Sequence, residues 1–133
     1  MTAIEYGLAG DLATITLNRP ERRNALTARD WIDLGAAARK AAADKARAVL
    51  LRGAGGCFSA GFDISEITPG EVDASELVGQ IVNPALNAIR EIPVPTIAAI
   101  EGACVGGGFG IAAACDVVLA SETAKFAIPY TQI

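Results

Sequence analysis

The chain has 133 residues, which leaves room for one domain at most. Its formal net charge of −4 argues against a nucleic-acid partner, because such partners are held by basic patches. The sequence contains no histidine, so Ser-His-Asp and Cys-His catalytic systems and histidine metal ligands are excluded within this chain.

Apolar residues make up 52% of the chain and charged residues 20%. This is rich in apolar residues for a small independent domain, whose large relative surface needs polar cover. We therefore expect part of the apolar surface to face a partner segment. The stretch 126–133 is largely apolar and favours the same interpretation.

Local patterns predict the first strands and the first helix. Residues 4–8 and 12–18 form a predicted hairpin around a turn at 9–11, and the second strand alternates apolar and polar residues. Thr27 is a suitable N-cap for a helix that runs to about residue 43. The inner face of this helix is expected to carry Trp31, Leu34 and Ala38.

Three arginines, Arg19, Arg22 and Arg23, crowd the loop between the hairpin and this helix. The residues alone leave two interpretations open. The loop is either a solvated turn or the positively charged border of a ligand site.

Strands and helices alternate through the rest of the chain. Residues 48–51 form a β-prone run, and a long helix is predicted at 75–91, which Pro84 should kink or split. A further β-prone run covers residues 94–100. With the helix and strand that follow it, the order is strand pair, helix, strand, helix, strand, helix, strand, which predicts an α/β fold.

A loop at residues 57–66, CFSAGFDISE, follows a glycine turn. Ala60 and Gly61 are small enough for a ligand to lie against the main chain, and the N–H of Phe62 comes next. The alternative is a loop with an aromatic plug. Asp63 is expected to bond to neighbouring loop amides.

A glycine-rich stretch organises the last third of the chain. Residues 106–108 are all glycine and precede an apolar helix predicted at 109–115, which Asp116 should close before a strand at 117–119. A strand, a bare glycine turn and a helix expose backbone N–H groups at the positive end of the helix, where an anion or a developing oxyanion can bind. The alternative is a glycine turn that only lets two elements pack closely.

Nucleotide and membrane binding are both disfavoured. The chain has no GxGxxG, and no lysine follows the glycines as a P-loop requires. The stretch 92–115 carries a single charge, Glu101, but its prolines and glycines make it a poor membrane-spanning helix.

The three cysteines, Cys57, Cys104 and Cys115, are an odd number without the spacing of a disulfide framework. No signal peptide precedes them, so a cytoplasmic location is expected. Cys57 lacks an identifiable base and is interpreted as a buried small residue.

Three motifs together resemble the enoyl-CoA hydratase/isomerase (crotonase) family. They are ITLNRPERRNAL at 15–26, FSAGFDI at 58–64 and IAAIEGACVGGGFGIAAACD at 97–116. The resemblance covers essentially the whole chain, in the right order and spacing. It implies a crotonase-like spiral of ββα units, in which residues 1–133 are the N-terminal, truncated part of a single domain. No sequence repeat indicates that spiral by itself.

The resemblance also implies a site. The backbone N–H groups of Phe62 and Gly107 correspond to the family's oxyanion hole, which would bind the thioester oxygen of an acyl-CoA. The residues expected to contact the substrate are Arg23, Ala25, Ala60, Gly61, Asp63, Ile64, Gly106, Gly108 and Tyr130. No metal and no separate cofactor are implied, because coenzyme A enters as part of the substrate.

Both glutamates of the family's usual hydratase mechanism are missing, since the matching positions are Gly110 and Tyr130. Isomerase-like enolate chemistry is therefore favoured over simple hydration, with the acid or base expected beyond residue 133. Two alternatives are a non-catalytic acyl-CoA-binding or partner-completing subunit and, with less support, a nucleotide-binding α/β domain. The resemblance further implies the C-terminal half of the fold, in cis or in trans, and a homo-oligomer (trimer or hexamer) when complete.

Overall fold

Alternating apolar residues build the hairpin at the start of the fold. A computed structural model describes residues 2–63, 65, 76 and 78–128 of the chain. Strand β1 (Ile4–Ala9) pairs antiparallel with β2 (Leu12–Leu17). The predicted hairpin is confirmed, and every second residue of β2 lies in the core: Ala13, Ile15 and Leu17 are fully buried.

Helix α1 (Ala28–Ala43) begins at a capping box. The Thr27 hydroxyl accepts a hydrogen bond from the Asp30 amide at 3.2 Å, and the Asp30 carboxylate accepts one from the Thr27 amide at 3.0 Å. The predicted N-cap and inner face are both confirmed, since Trp31, Leu34 and Ala38 are fully buried.

Five more strands complete two sheets. They are β3 (Ala48–Gly53), β4 (Thr96–Ile100), β5 (Ala103–Val105), β6 (Val117–Ala120) and β7 (Lys125–Ala127). The larger sheet has the order β1-β2-β3-β4-β6, with β2, β3, β4 and β6 parallel to one another. Strands β5 and β7 pair in parallel as a second sheet that the sequence analysis did not predict. The predicted α/β class is confirmed.

Two further helices differ from the prediction: the first is interrupted, and the second starts earlier. A π-helical turn, Val78–Val82, leads into α2 (Asn83–Arg90), so the predicted break at Pro84 is confirmed. Residues 75 and 77 of the predicted helix lie outside the described residues. Helix α3 (Gly107–Ala114) begins two residues earlier than predicted, because Gly107 and Gly108 form its first turn.

Asp116 ties the end of α3 to the start of β4. Its Oδ2 atom accepts hydrogen bonds from the amide of Thr96 at 2.9 Å and from its hydroxyl at 3.3 Å. The Asp116 amide in turn donates to the Thr96 hydroxyl at 2.9 Å. The prediction that Asp116 closes this helix before the next strand is confirmed.

Strands β6 and β7 expose apolar side chains. We refer to these exposed side chains together as the open apolar face; they are Val117, Val118 and Leu119 of β6, Phe126 of β7, and Ile128, which follows β7. Leu119 is 60% exposed although its strand lies beside β4 in the larger sheet. The exposed apolar surface expected from the composition is therefore present at this edge. Among the described residues, no helix has both the length and the apolar character needed to cross a membrane.

Candidate functional site

Three backbone segments that are distant in sequence lie side by side. Leu26 forms a parallel bridge with Phe62, and Ser59 forms another with Cys104. Segment 57–63 therefore lies between segments 23–27 and 102–108. This arrangement brings the arginine loop, the SAGFD loop and the glycine stretch into one region.

Two fully buried polar side chains that the sequence analysis did not include in the site hold these segments together. The Asn24 amide group donates to the carbonyl oxygens of Ala54 at 2.9 Å and Cys57 at 2.8 Å. The Ser59 hydroxyl donates to the Asn24 carbonyl oxygen at 2.8 Å and accepts from the Gly61 amide at 3.0 Å. Asn and Ser among small loop residues were the available signal, since such side chains commonly bond to nearby backbone groups.

Three glycines permit the close approach of these segments. A Cβ atom on Gly61, whose φ is +98°, would lie 2.9 Å from the Val105 carbonyl oxygen and 3.0 Å from the Gly107 nitrogen. A Cβ atom on Gly108 would lie 2.4 Å from the Ser59 carbonyl oxygen. Such distances are too short for a side chain, so the backbones meet only because these positions lack one.

The direction of the Phe62 amide follows from its own peptide bond. The Gly61 carbonyl oxygen accepts a hydrogen bond from the Leu26 amide at 2.8 Å. In a trans peptide the C=O and N–H groups point to opposite sides, so the Phe62 N–H points away from Leu26. That is the side on which residues 102–108 lie. Within the described part of the chain, this N–H has no hydrogen-bond acceptor.

The Gly107 amide opens helix α3. First-turn N–H groups have no partner inside their own helix, and they lie at its positive end. For the Gly107 and Gly108 amides, no acceptor is found elsewhere among the described residues either. Two backbone donors from separate segments, Phe62 and Gly107, thus lack an acceptor among the described residues, and Gly61, which precedes Phe62, packs against the Gly107 nitrogen.

Trp31 of α1 packs directly against Gly107. A Cβ atom on Gly107 would lie 2.8 Å from Cζ2 of the fully buried indole ring. The Trp31 Nε1 atom has no hydrogen-bond partner among the described residues. The core position of Trp31 was predicted, but its contact with the glycine stretch was not.

The arginine loop separates into one internal and two exposed cations. Arg22 and Arg23 are exposed. The Arg19 side chain is only 20% exposed, and its Nη1 atom lies 2.8 Å from Asp63 Oδ2 and 3.2 Å from the Ala25 carbonyl oxygen. Arg22 and Arg23 therefore fit both interpretations of the loop, a solvated turn and a charged border. Arg19 fits neither, because it is bound to Asp63 inside the protein.

The Asp63 carboxylate is buried against the same loop. Its Oδ1 atom accepts a hydrogen bond from the Ser65 amide at 2.9 Å. Hydrogen bonding to Ser65, and then to Arg19, lowers the pKa of Asp63 below its usual value of 3.8. The expected bond to a neighbouring loop amide is confirmed, and the ion pair with Arg19 was not predicted.

The other described residues predicted to contact the substrate lie in the same three segments. Ala25 and Ala60 are half-buried, and the Ala60 amide donates to the carbonyl oxygen of the exposed Arg23 at 2.9 Å. The Gly106 amide donates to the Ala127 carbonyl oxygen at 2.9 Å. Ile64 and Tyr130 lie outside the described residues.

Gly110 lies in α3 at the position where the family resemblance expects a glutamate. A Cβ atom there would make ordinary contact, at 3.4 Å, with Cδ1 of Leu86 from α2. The position therefore has room for a side chain but presents no carboxylate.

The cysteines lie near the site without forming a reactive group. Cys57 is half-buried rather than buried, which corrects the prediction, because it follows the exposed turn residues Gly55 and Gly56. Its thiol lies 3.4 Å from the Arg23 carbonyl oxygen and 3.7 Å from that of Ala103. Burial, and secondarily the charge of Cys57, raise the pKa of Cys104 to about 11, so this thiol stays neutral near pH 7.

Comparisons with known proteins converge on one group. Residues 8–133 match the sequence model of a family described as enoyl-CoA hydratase/isomerase. A probable enoyl-CoA hydratase of Rhodobacter capsulatus is 38% identical over 130 residues, which are 98% of this chain and 50% of that protein. The mitochondrial Delta(3,5)-Delta(2,4)-dienoyl-CoA isomerase of Mus musculus is 33% identical over 126 residues, or 86% of this chain and 38% of that protein.

A solved structure gives the same result for the fold. The enoyl-CoA hydratase/carnithine racemase of Magnetospirillum magneticum superposes with a TM-score of 0.91 and 39% identity, covering 99% of this chain and 51% of that one. The chain thus spans about half the length of the relatives it matches.

The glycine contacts predict opposite effects for two substitutions within α3. We expect Gly108→Ala to lower the free energy of unfolding by about 1–3 kcal/mol, because the new methyl group would overlap a backbone oxygen that has little freedom to move. The matched control, Gly110→Ala, should be neutral or stabilise by up to about 1 kcal/mol, because alanine favours the helix and the space is open. Urea unfolding of the two variants measures both values, and equal effects would contradict the predicted close approach.

The environment of Asp63 predicts a pH-dependent contribution to stability. Because its folded pKa is lowered, the ionised carboxylate stabilises the fold above the unfolded pKa, and this contribution is lost as the pH falls through the folded pKa. We expect Asp63→Asn to be less stable than the wild type at neutral pH, with the difference shrinking as the pH falls below 3.8. Thermal unfolding across this range tests the sign, and a difference that grows in acid would contradict it.

Proposed function

The chain belongs to the enoyl-CoA hydratase/isomerase family, with a crotonase-like α/β fold, and we propose that it binds an acyl-CoA thioester and stabilises the enolate formed from it. One observation carries the proposal. The Phe62 and Gly107 amides have no acceptor among the described residues, and Gly61 packs against the Gly107 nitrogen, which supports the proposal that both N–H groups line one gap. A thioester oxygen in that gap would accept two hydrogen bonds from donors that need no reorganisation, and each such donor is typically worth about 3–4 kcal/mol in rate.

The walls of the gap suit a flat thioester rather than a bulky group. Ala25 and Ala60 are half-buried and carry only a methyl group, so an acyl chain and a pantetheine arm could lie close to the backbone there. Arg22 and Arg23 are exposed at the border, where their charge would favour the phosphates of coenzyme A. Gly106, Asp63 and the undescribed Ile64 and Tyr130 remain predicted contacts.

We propose enolate chemistry of the isomerase kind rather than simple hydration. In that reaction a base removes a proton from a carbon whose negative charge is delocalised onto the thioester oxygen. The resulting enolate then takes up a proton at a different carbon, so the double bond moves. Gly110 lacks the carboxylate that hydration would require at its position, and one relative of this chain is named as a dienoyl-CoA isomerase. The group that moves the proton is proposed to come from polypeptide beyond this chain's described residues.

The open apolar face supports a further part of the proposal. We propose that the second half of the family fold, in cis or in trans, covers β6 and β7 and supplies that acid or base. The covered assembly would be a homo-oligomer, a trimer or a hexamer. We also propose a cytoplasmic location, supported by three cysteines that are free thiols.

A non-catalytic acyl-CoA-binding subunit is a second candidate, favoured by the absence of a side chain at Gly110. It shares the ligand of the main proposal and differs in turnover. Movement of the double bond in an enoyl-CoA substrate, followed by the ultraviolet absorbance of the conjugated thioester, separates the two candidates.

The two-donor gap predicts discrimination by the ligand's carbonyl group. An acyl-CoA thioester should bind at least about tenfold more tightly than the matching thioether, which lacks the oxygen, because two hydrogen bonds of about 1 kcal/mol each are lost. Fluorescence of Trp31, the chain's single tryptophan, or calorimetry measures both affinities. Equal affinities for thioester and thioether would count against the proposal, and tight binding of NAD or ATP would favour the nucleotide-binding alternative.

If the open apolar face is covered by other polypeptide, a charge added there should be more harmful than a charge added at an exposed position elsewhere. Leu119→Lys should weaken the association of β6 with whatever polypeptide covers it, seen as a smaller assembly in sedimentation or as a lower melting temperature of the intact protein. The control is Ile32→Lys on α1, where the native side chain is exposed to a similar extent, 50%, away from that face. If neither assembly nor stability distinguishes the two variants, the face is not covered.

A further inference from the structure

One ion pair lies immediately beside the proposed oxyanion donor. Asp63 directly follows Phe62, and its side chain is 8% exposed where it meets Arg19. From this geometry we infer that Arg19, acting through Asp63, is a positioning residue that fixes the Phe62 amide. The inference rests on the proposed function, in which that amide binds the thioester oxygen.

Gly61 explains why the Phe62 amide needs to be fixed. The orientation of the Gly61–Phe62 peptide depends on the backbone torsions at both residues, and glycine restrains its own torsions less than any other residue does. Gly61 has a φ of +98°, in the region that other residues rarely adopt. The bond from the Leu26 amide to the Gly61 carbonyl oxygen restrains one side of this peptide.

Asp63 restrains the other side. Its amide donates to the Leu26 carbonyl oxygen at 2.7 Å, and its carboxylate is held by Arg19 Nη1 at 2.8 Å and by the Ser65 amide at 2.9 Å. Phe62 thus lies between two residues that are anchored to the same neighbouring segment.

Arg19 is itself fixed, so it can serve as an anchor. Its amide donates to Asn24 Oδ1 at 2.7 Å, and its Nη1 atom also donates to the Ala25 carbonyl oxygen at 3.2 Å. Asp30 Oδ2 lies 3.8 Å from the same Nη1 atom. The guanidinium therefore links the loop after β2, the start of α1 and the residue after Phe62.

Loss of the guanidinium would leave the Asp63 carboxylate buried without its charge partner, which is costly, so the carboxylate would turn toward water. That movement would reorient the backbone at Phe62. The exposed pair formed by Arg29 and Asp33 on α1, with a separation of 3.1 Å, offers a matched control because the Arg29 side chain is 77% exposed.

The test measures how the protein holds the thioester carbonyl. An acyl-CoA labelled with ¹³C at the thioester carbon is bound to the intact wild-type protein and to the variants Arg19→Met, Arg19→Lys and Arg29→Met. We expect a downfield shift on binding to the wild type and to Arg29→Met, and a much smaller shift for Arg19→Met. Arg19→Met should also reduce the preference for thioester over thioether by about fivefold, the effect of one of the two hydrogen bonds, and Arg19→Lys should restore part of it.

Asp63→Asn provides a second route if Arg19→Met does not fold, because asparagine can still accept from the Ser65 amide. It should reduce the shift and the preference in the same way. A folded Arg19→Met or Asp63→Asn protein that keeps the wild-type shift and preference would overturn this inference and leave the proposed function intact. A wild-type protein that shows no shift and no preference would contradict the proposed function and, with it, this inference.

Discussion

The site depends on the exclusion of side chains where three backbone segments meet. Gly61, Gly107 and Gly108 occupy positions at which a Cβ atom would lie between 2.4 and 3.0 Å from a neighbouring atom. Two of those neighbours are backbone oxygens of Val105 and Ser59, which hydrogen-bonded segments hold in place. Without this contact the SAGFD loop and the start of α3 could not share one gap.

Hydrogen bonds and close contacts hold the backbone around the glycines in place. The Asn24 side chain donates to the carbonyl oxygens of Ala54 and Cys57, and the Ser59 hydroxyl donates to that of Asn24. The Trp31 ring packs against Gly107. The amides of Phe62 and Gly107, like that of Gly108, are not part of this network and have no acceptor within the described structure. An unpaired donor in a well-bonded region adds nothing to the stability of the fold. This favours a ligand as the partner of the Phe62 and Gly107 amides.

Much of the fold follows from local patterns in the sequence. The alternation in β2, the Thr27 cap and the interruption at Pro84 each report a local preference, and each is seen in the structure. Strands β5 and β7 were not predicted because each has three residues and forms only by pairing with a distant segment. The early start of α3 was missed because glycine has low helix propensity, whereas here the packing against Ser59 and Trp31 decides.

The site was predictable in outline and not in its supporting contacts. The motifs identified the glycines and Phe62, but nothing in the spacing distinguished Arg19, which is held inside, from the exposed Arg22 and Arg23. That difference arises from Asp63, which is 44 residues away in sequence. Cys57 is more exposed than predicted because it directly follows an exposed glycine turn.

The most direct measurement is a crystal structure of the protein with a bound acyl-CoA. The account predicts that the thioester oxygen lies about 2.7–3.2 Å from both the Phe62 and the Gly107 nitrogens, the normal range for such hydrogen bonds. A thioester oxygen bound elsewhere, with both amides facing water or other protein atoms, would contradict it.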